Sequence, residues 1–196
     1  LVALWRYYNP TTGSFDVYSN IWNHSLALWA LAACGEPVPA LAVTWLRDQR
    51  NADGGWGWAT GISSDSNSTA LAIQALVACG VPTDDPVIVD ALTFLKGLQT
   101  TDGGFPWDRQ ASAQGDADST ALALQGILAG GGDPSRSWEW ARTMTRTESI
   151  TMTVRKPLDH LLTLQTPAGG FEWLPGAGPN VLATMDVLPT LKGVTY

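Results

Sequence analysis

Two kinds of hydrophobic pattern alternate along the chain. In HSLALWALAACG (24–35), TALAIQALVACG (69–80) and TALALQGILAGG (120–131), runs of Ala, Leu and Ile leave almost no polar face, and the three segments superpose without gaps. ATMDVLPTLKG (183–193) is a diverged fourth copy. A helix of this composition must be covered on every side, so these segments predict inner helices. The second pattern is amphipathic. In DDPVIVDALTFLKGLQ (84–99), Ile88, Ala91, Leu92, Leu95 and Leu98 follow helical spacing while Asp90, Thr93 and Lys96 face away. A single apolar stripe of this kind predicts an outer helix, opened by Asp85 as N-cap and Pro86 in the first turn.

Between the two patterns the chain writes nearly the same loop three times: DGGWGW (53–58), DGGFPW (102–107) and AGGFEW (168–173). The glycine pairs are 49 and then 66 residues apart, and TTGSF, ending at Phe15, is a degenerate first copy. Each unit therefore reads as an outer helix, a glycine-aromatic loop, an inner helix and a Gly or Pro turn such as CGVPTDDP. One such hairpin cannot bury its inner helix alone. Successive hairpins must stack with the inner helices parallel along a concave wall that curves towards a double-walled ring. The glycine pair permits a tight turn with positive φ at the end of an outer helix, and the first aromatic plugs the seam between hairpins. The units span about 1–36, 37–82, 83–133 and 134–196 of a single domain, with LVALWRYY as the tail of an outer helix whose start is missing.

Two spacings carry a family resemblance. Leu95-x3-Gln99-x3-Gly103-x-Phe105 and Leu161-x3-Gln165-x3-Gly169-x-Phe171 resemble the glutamine-tryptophan repeats of the prenyltransferase and squalene cyclase superfamily, with Arg50 departing from the pattern in the first full copy. The resemblance implies an all-α fold, a partial α/α-toroid of about four inner and three to four outer helices. DSNSTALAIQAL and DADSTALALQGI look like the helix openings of bacterial secreted repeat proteins, and VLPTLKGVTY is similar to the closing segment of cobalamin carriers and those bacterial relatives. These likenesses place the chain at the C-terminal end of a longer toroid, outside the cell or on its surface.

Composition removes several function classes. A net charge of −7 and a pI near 4.6 oppose binding to nucleic acid or anionic membrane. No apolar run reaches the ~18 residues of a membrane span. The start at Leu1 suggests a processed or truncated product. Cys34 and Cys79 end successive inner helices. Neighbouring helices stand ~8–10 Å apart and a disulfide needs Cα atoms within ~7 Å, so the two read as small buried residues rather than a bridge.

The sharpest catalytic candidate is DADSTA, 116–121. Squalene-hopene type cyclases carry Asp-x-Asp-Asp-Thr-Ala at this kind of place, so the resemblance implies Asp118 as general acid, with Asp116 beside it. Ser119 replaces the last Asp, and DSNST at 65–69 puts Asn67, which is no acid, in the same slot. Helix capping explains both segments better. Zinc is set aside, because His24 and His160 fall in different layers and the cysteines lack ligand spacing. In CGEP, 34–37, Pro37 stands where a complement-type thioester needs glutamine.

A third recurrence is the second aromatic of each loop, Trp58, Trp107 and Trp173. As a row they form the best binding-site candidate, beside Asn20, Asp65, Asn67, Asp116, Asp118 and Asn180. Such a rim would hold an apolar or sugar-like ligand or a partner segment, and its carboxylates could take Ca²⁺. The long connection before Gly169 contains WARTMTRTESITMTVRK (140–156), which alternates like an exposed β-hairpin and gathers Arg142, Arg146, Arg155 and Lys156 as a partner-binding patch; a solvated loop is the plain alternative. The reading is a non-catalytic, extracytoplasmic domain that binds a ligand or protein partner, or a further toroid segment that completes the ring. The alternative is a class II terpenoid cyclase fragment with Asp118 as acid, and a cobalamin carrier is a third possibility.

Overall fold

The computed structural model describes residues 3–15, 20–108, 114–133 and 156–193. The predicted insertion and its Arg142, Arg146 and Arg155 lie outside that set. Among the described residues the chain folds into α1 (Ile21–Ala33), α2 (Ala40–Asp48), α3 (Ser66–Ala78), α4 (Pro86–Leu98), α5 (Ala117–Ala129), α6 (Pro157–Thr163) and α7 (Val181–Leu191). The four all-apolar segments are α1, α3, α5 and α7. They pack in that order, α1 on α3, α3 on α5 and α5 on α7, while α2, α4 and α6 cover them from outside. This is the two-layer helical wall that the sequence predicts.

The middle inner helices show why their composition is so apolar. Ala70 to Leu76 of α3 and Ala121 to Ile127 of α5 are buried without interruption. Gly126 lets the two helices approach closely, since a Cβ there would sit 2.7 Å from the Ala70 Cα. The outer helices bury one stripe each, as in α4, where Ile88, Ala91 and Leu95 are inside and Val89, Asp90 and Lys96 outside. Asp85 caps α4 by accepting the Val87 amide at 2.9 Å and also receives a two-pronged ion pair from Arg47 of α2. Those bonds hold the Asp85 carboxyl below the usual range.

Two sequence expectations need correction, the opening helix tail and the burial of Cys34. LVALWRYY is not the tail of a regular helix: Leu4–Tyr7 form a single 3₁₀ turn that ends as Tyr8 becomes extended. The described strands, β1 (Phe171–Glu172) and β2 (Pro179–Asn180), pair antiparallel within the last glycine-aromatic loop. The earlier loops make the same contact as single bridges, Trp56 to Asp65 and Phe105 to Asp116. Finally, Cys34 and Cys79 are unpaired, as expected, but Cys34 is exposed rather than buried, whereas Cys79, the equivalent C-cap of α3, packs with its Sγ 3.9 Å from the Leu28 carbonyl of α1. Cys79 is half-buried, and burial pushes its thiol up to about 11.

Candidate binding rim

Each inner helix opens with one polar residue. Asn20, Asp65, Asp116 and Asn180 are the N-caps of α1, α3, α5 and α7, and their side chains accept the amides of Asn23, Ser68, Ser119 and Ala183 at 2.7 to 3.0 Å. Asp65 also takes the Ser68 hydroxyl at 2.8 Å. Burial nevertheless pushes its carboxyl up, against the lowering effect of these bonds. Four of the predicted rim residues are thus committed to helix ends. Asn67 and Asp118, two residues beyond their caps, are not caps themselves, and the Asn67 Oδ1 accepts the Ser66 hydroxyl at 2.9 Å.

Four residues after each cap lies a contact that the sequence reading missed. The hydroxyls of Thr69, Thr120 and Thr184 accept the amides of Trp56, Phe105 and Phe171, each at 2.9 Å. In the first unit His24 takes that place, with its Nδ1 accepting the Phe15 amide at 3.1 Å. The seam aromatic is therefore clamped to its own inner helix while its ring goes into the core. Trp56, Phe105 and Phe171 are fully buried and Phe15 nearly so. The signal was available in the shared STA triplets at 68–70 and 119–121.

The glycine pairs divide their work. Gly103, at φ +90°, makes the turn, and Gln99 Nε2 donates to its carbonyl at 3.0 Å. Gly104 leaves room for the next outer helix, since a Cβ there would lie 2.7 Å from the His160 ring of α6. Arg50, in the glutamine slot of the earlier copy, instead reaches Asp90 of α4.

The second tryptophans do something different from the first aromatics. Their carbonyls cross to the preceding unit: Trp58 O accepts the Ile21 amide at 2.9 Å, Trp107 O the Ser66 amide at 2.9 Å and Trp173 O the Ala117 amide at 3.0 Å. These donors are the first amides of α1, α3 and α5, groups that a helix cannot satisfy internally. Because each loop touches both its own inner helix and the start of the previous one, all inner helices begin at the same end and run parallel. The indoles are left at equivalent places along that end, half exposed at 48%, 47% and 45%. They sit with Asn67 and Asp118 nearby in sequence, in successive units.

Asp118 is the chemically distinctive group of this rim. It is not a cap, contrary to the capping explanation of DADSTA, which holds for Asp116 alone. One of its carboxylate oxygens is buried without a hydrogen bond. Burial, with smaller contributions from Asp186 and Asp116, pushes its carboxyl up to about 6. Lys156, the described member of the basic patch, precedes α6, where its amide donates to Asp159.

Among the described residues no three His, Cys, Asp or Glu side chains gather. His24 uses Nδ1 for Phe15 and Nε2 for the Ala42 carbonyl at 3.0 Å. A cleft of about 600 Å³ lies between the second loop and α4, lined by Asp53, Ser64 and Phe94 among others. Its Asp53 carboxylate already takes the Gly55 amide and the Ser64 hydroxyl.

A parallel inner layer of helices wrapped by outer ones, with glycine-aromatic seams, defines an α/α-toroid wall. Among solved structures, the protein geranylgeranyltransferase-I of Candida albicans, complexed with GGPP, matches with a TM-score of 0.66 at 16% identity. The match covers 95% of this chain and 52% of that one. The chain thus has the toroid fold over nearly all of its length and spans about half the length of that neighbour. No family model matches the sequence, and no curated protein does.

Proposed function

We propose that this chain is a non-catalytic, extracytoplasmic binding domain whose rim of indoles holds a sugar-like or apolar ligand or a partner segment. The observation that carries this reading is the row of Trp58, Trp107 and Trp173. Each is half exposed, and each is pinned through its own carbonyl to the neighbouring helix start. The backbone positions that carry the rings, fixed in this way, follow the ~8–10 Å repeat of adjacent helices, so little backbone freedom is lost on binding. Flat apolar faces beside the polar groups of Asn67 and Asp118 suit a chain of sugar rings, which present apolar faces and hydroxyl edges. The basic residues Arg142, Arg146, Arg155 and Lys156 are a proposed second surface for an acidic protein partner.

Tryptophan fluorescence titration with soluble hexose oligosaccharides of increasing length tests the reading. Affinity should rise with each added ring until the row is filled, and Trp107→Ala should weaken binding about tenfold, or ~1.4 kcal/mol. A flat titration across these sugars, a geranylgeranyl compound, cobalamin and Ca²⁺ would remove the ligand-binding reading. The geranylgeranyl compound belongs in the panel because the fungal neighbour is complexed with GGPP.

One observation favours a second reading. A carboxyl raised to about 6, with one oxygen buried and unbonded, is the state a proton donor needs. In that reading Asp118 protonates an alkene as a class II cyclase acid. Turnover of a polyprene that disappears in Asp118→Asn would establish it, and no product from the unaltered protein would end it.

A further inference from the structure

The aspartate ahead of the glycine pair is used differently in successive units. In the third loop both carboxylate oxygens of Asp102 are engaged. Oδ1 accepts the Gly104 amide at 3.1 Å, while Oδ2 accepts the Gly115 amide at 3.3 Å and lies 3.6 Å from Nδ1 of His160 on α6. In the second loop Asp53 Oδ1 accepts the Gly55 amide at 3.1 Å and the Ser64 hydroxyl at 2.7 Å, and Oδ2 has no hydrogen bond among the described residues. The ring that faces this loop from α4 is Phe94, which has no donor to offer. It takes the seat of His160, since a Cβ on Gly55 would lie 2.8 Å from the phenyl ring and one on Gly104 2.7 Å from the imidazole.

The cleft of about 600 Å³ opens beside these groups, lined by Asp53, Ser64, Thr93, Phe94, Leu98 and Asp108 among others. Its oxygens are set to accept. Ser64 directs its hydroxyl proton to Asp53, and Thr93 directs its own to the Val89 carbonyl at 2.9 Å. No basic side chain among the described residues lines the cleft, and Arg50, in the adjoining hollow, is held by Asp90. Acceptors over an apolar floor suit a ligand that brings N–H donors, positive charge and hydrocarbon together, and a cation against a phenyl face gains further attraction. The volume falls within the ~300–1,000 Å³ of small-molecule sites. A bare metal ion would fill little of it, and among the described residues no three ligating side chains gather there.

From this we infer that the cleft between the second loop and α4 binds an organic ammonium ion. Its N–H groups meet Asp53 Oδ2 as the His160 ring meets Asp102, and its hydrocarbon lies on Phe94 and Leu98. The net charge of −7 favours the approach of such a cation. The site is separate from the indole row, so the inference goes beyond the proposed function and does not rest on it. The chemistry recognised is the alkylammonium group, carried by a free amine or by the lysine side chain of a partner.

Backbone amide shifts of the isotope-labelled chain, followed by nuclear magnetic resonance during titration with phenethylammonium chloride, read the outcome. Saturable shifts should appear at Gly55 and Ser64. Phenethyl alcohol, the same skeleton without the charge, should bind about tenfold more weakly. Asp53→Asn keeps an oxygen for the Gly55 amide and the Ser64 hydroxyl, and should lower amine affinity by a similar factor with unchanged far-ultraviolet circular dichroism. Phe94→His gives Asp53 an internal donor and should do the same. N-acetyl-lysine methylamide, titrated in parallel, separates the two sources: affinity equal to that of phenethylammonium points to a partner's lysine, and much weaker binding to a free amine. Equal binding of amine and alcohol overturns the inference, as does amine affinity unchanged in Asp53→Asn, or no saturable shift at Gly55 and Ser64. The comparison of amine with alcohol uses the unaltered chain, so it decides the matter even where a substitution disturbs the fold. None of these results touches the indole row, which the sugar titration tests separately.

Discussion

His24 Nδ1 accepts the Phe15 amide at 3.1 Å, in the place where Thr69 accepts the amide of Trp56 at 2.9 Å. Two unlike side chains thus perform one task, satisfying the buried amide of the residue that plugs the seam. The imidazole goes further than the hydroxyl, because its Nε2 also joins the Ala42 carbonyl of α2 at 3.0 Å. With Nδ1 accepting, Nε2 carries the proton, and the ring is neutral.

Removing such an acceptor should leave a buried donor unsatisfied. Thr69→Val keeps the shape but should cost about 1–3 kcal/mol in urea unfolding. Hydrogen exchange at the Trp56 amide should accelerate in Thr69→Val and stay slow in Thr69→Ser, which retains the hydroxyl. Equal exchange in the two variants would show that the clamp does not operate.

Gly126 is a point of close approach between α5 and α3. Alanine there improves helix propensity by up to ~1 kcal/mol, yet its Cβ would lie 2.7 Å from the Ala70 Cα and 2.8 Å from its Cβ. Overpacking against backbone should win, for a net loss of about 1–2 kcal/mol. A thermal midpoint that rises in Gly126→Ala would contradict the close α3 to α5 approach.

Asp118 should make stability depend on pH. Its folded carboxyl is raised from the ordinary value of 3.8 to about 6, so the folded state holds the proton more tightly than the unfolded chain. The resulting stabilisation is fully present below pH 3.8 and is lost as pH rises through 6. Asp118→Asn should remove this dependence and be more stable than the unaltered protein at pH 7. The gain should be about 1 kcal/mol after allowance for solvent screening of a partly exposed group. Unfolding curves at pH 5 and pH 7 that shift in parallel for both proteins would contradict the raised carboxyl.

The indoles of the rim should matter little for folding. Trp107→Ala keeps the carbonyl that bonds Ser66 and removes a side chain that is 47% exposed. Stability should fall by less than ~1 kcal/mol, against about 3–5 kcal/mol for Trp56→Ala in the core. Similar losses for the two would assign both residues to packing.

Much of this fold was legible in the chain. The runs at 69–80 and 120–131 have nowhere to go but between other helices, so composition alone separated inner from outer layers. The glycine pairs were legible for the same reason, since the turn at Gly103 requires positive φ. What stayed hidden were contacts made by groups common to all residues. A carbonyl such as that of Trp107, bonded to the Ser66 amide 41 residues earlier, leaves no mark on residue choice. The rim polar residues divided along the same line: Asp116 and Asp118 look alike in DADSTA, and an offset of two residues made the first a cap and left the second half-buried with one carboxylate oxygen unbonded. Arg50 was an unexplained departure until Asp90 of the next outer helix appeared within its reach.

Residue-resolved hydrogen exchange tests the coupling between units most directly. First amides of helices ordinarily exchange as free groups. Those of Ile21, Ser66 and Ala117 should instead be protected, because the carbonyls of Trp58, Trp107 and Trp173 hold them. The first amide of α2, at exposed Ala40, should exchange rapidly in the same sample. Protection of the three and not of Ala40 is the predicted result; equally rapid exchange at all four would contradict the stapled, parallel inner layer.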